Sequence, residues 1–191
     1  MTAPELRTKR LILREFTEKD LDAIFAIFGD AEVNRFLPWF PVKTAQEAAD
    51  FYRKRLTCTK DTWHYAFCRK EDNIPIGYVD LRLSGSRDLG YGLSRQFWGQ
   101  GFVTAACKAV IDLAKRQGVP FLTATHDEKN PRSGAVMQKL GMQYQYSYEE
   151  LWQPKNFWVT FRMYQMNLDG EQDRVYRKYC EMYEHFVEEI N

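Results

Sequence analysis

Several scarcities narrow the reading before any motif is considered. The 191 residues include only four cysteines, Cys58, Cys68, Cys107 and Cys180, with no CxxC pair. Thiols scattered in this way argue against a disulfide framework and suit a reducing compartment. The three histidines, His64, His126 and His185, lie far apart without metal-ligand spacing, so no metal is expected. Charge of one sign is also missing, since 27 Lys and Arg against 26 Asp and Glu leave a formal +1. No global field therefore draws the chain to nucleic acid or to an anionic membrane. No run of about 18 apolar residues occurs, and the opening MTAPELRTKR has no apolar leader. The expectation is a soluble cytoplasmic protein. There are no internal repeats, low-complexity tracts or long linkers, which points to one domain or one domain plus an appendage. An apolar share of 45% with 15% aromatics is enough for a substantial core.

What is present is organised around residues 89–117, LGYGLSRQFWGQGFVTAACKAVIDLAKRQ. Residues 89–94 read as a strand, Gly99 and Gly101 as a turn, and the remainder as a helix. Val103, Ala106, Cys107, Val110, Ile111 and Ala114 recur at three- and four-residue steps and form one buried stripe. A strand, a glycine turn and a helix N-terminus can make an anion site, because the first helical N–H groups lack partners and the dipole there favours negative charge. The two glycines let backbone approach a phosphate. No Gly-Lys-Ser/Thr follows, which excludes a nucleotide-triphosphate loop. Thr104 stands where a dinucleotide fingerprint needs its third glycine. A plain strand-to-helix connection remains the competing reading of this stretch alone.

The flanking chain supplies alternating strands and amphipathic helices. Residues 10–14 are β-prone, and Thr17 with Asp20 caps a helix carrying Leu21, Ile24, Phe25 and Phe28. The segment NRFLPWFP, residues 34–41, reads as an irregular loop that either plugs the core edge or walls a cleft. Thr44 with Glu47 opens a second helix reaching about Leu56. Strands at 63–69, 74–83 and 89–94 make an antiparallel meander. After the central helix come a strand at 121–125, parallel to 89–94, and a helix from Asn130-Pro131 to Gly141. Strands at 144–151 and 157–166 follow. Val175, Tyr179, Met182, Phe186 and Ile190 then predict an amphipathic helix over 171–190.

This order, with three motifs, resembles the GNAT superfamily of acyl-CoA-dependent N-acetyltransferases. Gln96-Phe97-Trp98-Gly99-Gln100-Gly101 matches its Q/R-x-x-G-x-G/A pyrophosphate loop. Asn130-Pro131-Arg132-Ser133 through Lys139-Leu140-Gly141-Met142 is similar to its N-x-x-S/A…K-L-G-F segment. Residues 6–14, LRTKRLILR, resemble the opening of the subgroup containing the ribosomal-protein N-terminal acetyltransferases. The resemblance implies an α/β (α+β) fold: a mixed, mostly antiparallel seven-stranded sheet with helices on both faces and a parallel, splayed central strand pair. It places an N-acetyltransferase domain at residues 1–168, and the helical pattern adds a C-terminal amphipathic extension at 169–191.

The resemblance also implies chemistry. Acetyl-CoA would be the co-substrate, its pantetheine arm lying between the parted strands like an added strand. Leu93, Gln96, Trp98, Gly99, Gln100, Gly101, Phe102, Asn130 and Ser133 would hold it, with the backbone N–H of Leu93 or a neighbour stabilising the oxyanion. Asn130 also suits a helix N-cap, a role compatible with cofactor contact. Relatives often protonate the leaving thiolate with a tyrosine seven residues after the asparagine, where this chain has Met137. Ser133 takes that role by resemblance to some N-terminal acetyltransferases, unless it only bonds backbone or water serves instead. For the base, Glu150 is favoured over its strand neighbour Glu149, with His126 and Asp80 as rivals. The acceptor would be a protein N-terminal α-amine or a small-molecule amine. A non-catalytic acyl-CoA-binding module is the competing class. The C-terminal helix would cover an apolar patch on its own domain or on a second copy of the chain.

Overall fold

The computed structural model describes residues 3–190. Its first strands, β1 (Leu6–Arg7), β2 (Leu11–Glu15), β3 (Thr62–Arg69), β4 (Pro75–Arg82) and β5 (Leu89–Leu93), form one antiparallel sheet in sequential order. A second sheet contains β6 (Phe121–Asp127), β7 (Gln143–Trp152), β8 (Phe157–Asn167) and β9 (His185–Phe186), ordered β6-β8-β7-β9. The seven longer strands match the expected mixed sheet, and β1 and β9 are two-residue additions at its rims. The helices are α1 (Leu21–Phe28), α2 (Ala31–Asn34), α3 (Ala45–Arg55), α4 (Phe102–Arg116), α5 (Pro131–Leu140) and α6 (Lys178–Met182). Among the described residues no helix is long and apolar enough to cross a membrane.

Strand alternation sorts side chains to two faces. Trp63, Tyr65, Phe67, Val79, Leu81, Leu89 and Leu93 enter the core shared with α4, whose Ala106, Cys107, Val110 and Ala114 are fully buried as the stripe predicted. Ala66, Cys68 and Tyr78 turn to the opposite face and pack with α1 and α3, Phe28 stacking on Tyr78 with ring centroids 5.0 Å apart. The proline-flanked loop divides between its two expected roles. Trp39 packs against Phe28 and Phe51, whereas Phe40 is 59% exposed.

The C-terminal extension departs from expectation. The helix expected over 171–190 is formed only at Lys178–Met182, and the chain then pairs as β9 with the edge of β7. Met182 and Phe186, expected inside, are 56% and 42% exposed. Val175 and Tyr179 of the expected stripe, joined by Tyr176, Cys180 and Tyr183, pack on Tyr146, Tyr148, Val159, Phe161 and Met163 of β7 and β8. Tyr179 and Tyr183 both stack on Tyr148, at 4.9 and 5.3 Å. Aromatic stacking on a sheet face, with backbone pairing to a bare edge, outweighs a moderate helical period.

Candidate active site

The two sheets touch through β5 and β6, and there the pairing is minimal. One parallel bridge, Asp88 to Thr123, joins them among the described residues. The Thr123 N–H bonds the Arg87 carbonyl (3.2 Å), and its hydroxyl donates to the Ser86 carbonyl (2.8 Å). Past this point the strands have no common ladder. Register explains what faces the gap. The N–H of Arg82 bonds the Asp88 carbonyl (3.1 Å), and that of Ser94 bonds the Ile76 carbonyl (2.8 Å). Even-numbered residues of β5 thus turn their backbone groups to β4, while Leu89, Tyr91 and Leu93 turn theirs toward β6. The expected donor Leu93 is among the latter, and its carbonyl accepts the Trp98 indole N–H at 2.8 Å.

At the open end of the gap lies the glycine turn. Arg95–Phe97, which contains Gln96, is a 3-10 turn, and Gly99 and Gly101 adopt φ of +76° and +75°. Those left-handed values favour glycine, and no side chain caps α4 at Gly101. The first N–H groups of α4 remain free for an anion. Arg10 fixes the turn by donating to the Gln100 carbonyl (2.6 Å) and lying over the buried Phe102 ring at 4.2 Å. Arg69 lies over Phe97 and Arg132 over Trp98, at 5.5 and 5.1 Å. Guanidinium groups therefore collar the turn, an arrangement suited to a diphosphate. Motif spacing located the turn itself. The role of Arg10 in bracing it rests on a contact across 90 residues and has no local signal.

Asn130 occupies the N-cap position of α5 but makes no side-chain cap bond, which leaves its amide available. Ser133 sits one turn in. The Tyr91 hydroxyl donates to the Ser133 carbonyl (2.9 Å) and lies 3.1 Å from its Oγ. Burial pushes the Tyr91 phenol far up, so it stays neutral. Met137 is buried in the core. On this face β5 is sealed by α4 and α5.

The other face is different. Gly90 and Gly92 point there and contribute no side chain. The Tyr78 ring covers Gly92, leaving no room for a Cβ, whereas a Cβ on Gly90 would meet only the Asp80 Cβ at 3.9 Å. Asp80 stands opposite Gly90 and His64 opposite Asp80, with His64 Nδ1 2.8 Å from the carboxylate. Burial raises the Asp80 pKa against the opposing hydrogen bond from His64. Burial also lifts Asp88 to about 6, opposed by Arg82. Glu150 pairs with Val159 beyond the end of β6, near Tyr183, and its pKa is raised by burial. Glu149 is exposed and its N–H bonds the Glu184 carbonyl, so β9 borders it. His126 faces α5, its Nδ1 on the Asp127 carbonyl and its Nε2 buried against Gly134. Burial lowers its pKa. Among the described residues no group of His, Cys, Asp or Glu could hold a metal.

Comparison with known proteins gives the family and the fold. A family model for the acetyltransferase (GNAT) domain matches residues 10–143. The N-acetyltransferase p20 of Bacillus licheniformis is 27% identical over 113 residues, covering 56% of this chain and 64%, just under two thirds, of p20. The N-acetyltransferase YoaA of Bacillus subtilis is 25% identical over 147 residues, covering 73% of this chain and 83% of YoaA. Among solved structures, a GNAT-family acetyltransferase from Bacillus anthracis superposes with a TM-score of 0.78 at 20% identity, over 87% of this chain and 99% of that one. Spermidine N-acetyltransferase of Vibrio cholerae, solved with CoA and spermine, gives 0.72 at 14%, over 84% and 97%. RimL, the ribosomal L7/L12 N-acetyltransferase solved with coenzyme A, gives 0.72 at 17%, over 88% and 100%. At these identities the superpositions bear on the fold alone.

Proposed function

Because this chain belongs to the GNAT acetyltransferase family, we propose that it transfers the acetyl group of acetyl-CoA directly to a primary amine, in one ternary complex. The observation that carries the reading is the β5–β6 gap. Two strands diverge from a single bridge, Tyr91 and the N–H of Leu93 face the opening, and the opening ends at two left-handed glycines and an uncapped helix N-terminus. A diphosphate suits the turn of Gln96, Trp98, Gly99, Gln100, Gly101 and Phe102. A pantetheine arm suits the strand edges, with Asn130 beside it.

The acceptor amine arrives from the Gly90 face, since α4 and α5 close the other. Its nitrogen attacks the thioester carbon, and N–H groups of β5 stabilise the oxyanion. The thiolate departs past Ser133, whose hydroxyl, aligned by Tyr91, supplies its proton. Glu150, with its raised pKa, receives a proton from the incoming ammonium at the crevice mouth. The solved relatives include one named for a polyamine and one for a protein N-terminus, so both acceptor classes belong in the test.

That test is thiol release from acetyl-CoA with a panel of alkylamines, polyamines and peptides with free N-termini. We expect turnover with at least one class. Asn130→Ala should weaken acetyl-CoA binding, and Glu150→Gln should lower the rate with cofactor affinity kept. Tight acetyl-CoA binding with no thiol released by any amine would replace the enzyme with an acyl-CoA-binding module.

A further inference from the structure

We infer that Asp80 is the group that takes the proton from the attacking nitrogen during acetyl transfer, and that His64 is its positioning residue. The inference deepens the reading above and rests on it. Three observations converge. On the face of β5 away from α4 and α5, Tyr78 covers Gly92, whereas a Cβ on Gly90 would find only the Asp80 Cβ within 4 Å, which leaves an opening at Gly90. Asp80 is the side chain standing opposite Gly90, with no Cβ between it and that opening. Its carboxylate is held by His64 at 2.8 Å, and both side chains keep some solvent access, at 24% and 16%. A carboxylate can only accept, so His64 Nδ1 carries the hydrogen. One oxygen is thereby fixed on His64, and the second remains to receive a proton.

The proton balance gives Asp80 a distinct role. An ammonium nitrogen loses two protons when it becomes an amide. The first leaves before attack and passes through Glu150 to solvent. The second leaves as the C–N bond forms and the C–S bond breaks, and it goes to Asp80. The sulfur gains one proton from Ser133 or water, and the proton held by Asp80 returns through solvent to that donor, so one proton is released per turnover. Glu150 lies beyond the end of β6, whereas Asp80 is in register with Gly90, only two residues along β5 from the bridge residue Asp88. His64 acts on Asp80, and Asp80 in turn raises the neighbouring Tyr78 and Asp88.

The experiment measures kcat against pH for the full chain, using acetyl-CoA and the best amine of the panel. Asp80→Asn is nearly isosteric, and its acetyl-CoA affinity and thermal midpoint should match wild type. Its kcat should fall by about 100-fold, and whatever acid limb remains should no longer respond to substitution of His64. In the otherwise wild-type chain, His64→Ala should move the acid limb to higher pH, because the lost hydrogen bond had stabilised the charged carboxylate. His64→Gln keeps a donor and should restore the limb toward its wild-type position. Glu150→Gln should keep an acid limb that still moves with His64→Ala. An Asp80→Asn enzyme within about threefold of wild type, or one whose acid limb still moves with His64→Ala, overturns the assignment while acetyl transfer stands. A wild-type chain that releases no thiol with any amine overturns both.

Discussion

Gly90 and Gly92 stand two positions apart on one face of β5, and a methyl group should have opposite consequences at each. At Gly92 the new Cβ would sit 2.3 Å from the Tyr78 ring, which stacks on Phe28 and cannot retreat. Gly92→Ala should therefore destabilise by about 1–3 kcal/mol, visible as a lower denaturant midpoint. At Gly90 the nearest atom is 3.9 Å away, so Gly90→Ala should leave stability within about 1 kcal/mol of wild type. It would nevertheless narrow the proposed amine approach, and kcat/KM should drop by roughly tenfold or more. Equal loss of stability in both variants would mean that the Gly90 face is not open. These neighbours also mark what the sequence made legible. The Gly99 and Gly101 turn could be read because spacing along one segment specifies it. The row from His64 through Asp80 to Gly90 could not, because strand register brings together residues 16 and 10 positions apart. Asp80 was legible only as a rival base, and His64 had no reading beyond an absent metal.

Among the elements, the central helix and the meander were the most readable, and the C-terminal segment the least. α4 carries a buried stripe long enough for its period to be unambiguous. The last 20 residues satisfied the same period with fewer apolar positions, and a β7 edge in need of a partner lay outside any local pattern. Glu188 completes the attachment, since Arg162 and Ser147 donate to its carboxylate and its N–H bonds the Tyr144 hydroxyl at 3.0 Å. The segment thus crosses from one face of the second sheet, around β7, to the other. Removing the Tyr179 ring should cost about 3–5 kcal/mol, the range for a large aromatic lost from a packed cluster. Tyr179→Phe, which keeps the stacking, should cost under about 1.5 kcal/mol. Urea titrations of the two variants decide the point. A Tyr179→Ala midpoint equal to wild type would show that α6 does not cover the sheet in solution.

For the molecule as a whole, the consequence of the fold lies in how weakly its two sheets are joined to each other directly. Each sheet has a continuous internal ladder, yet between β5 and β6 there is one bridge, and packing of α4 and α5 adds to the connection. A cofactor arm that pairs with both strand edges would add the missing central rung, and it would do so only in the folded state. Ligand binding should therefore raise thermal stability by mass action, about 2.7 kcal/mol at 100 times the dissociation constant. For a chain of 191 residues this corresponds to roughly 5–11 °C. Coenzyme A should give most of the shift, because the diphosphate and pantetheine carry the contacts and the acetyl group adds few atoms. Gly101→Val, which forces a branched side chain into a left-handed position, should abolish the shift while the apo midpoint falls only by the local strain, about 1–2 kcal/mol. Scanning calorimetry with and without coenzyme A separates the outcomes. An unshifted wild-type midpoint at saturating coenzyme A would mean that the gap between β5 and β6 does not receive the thiol arm.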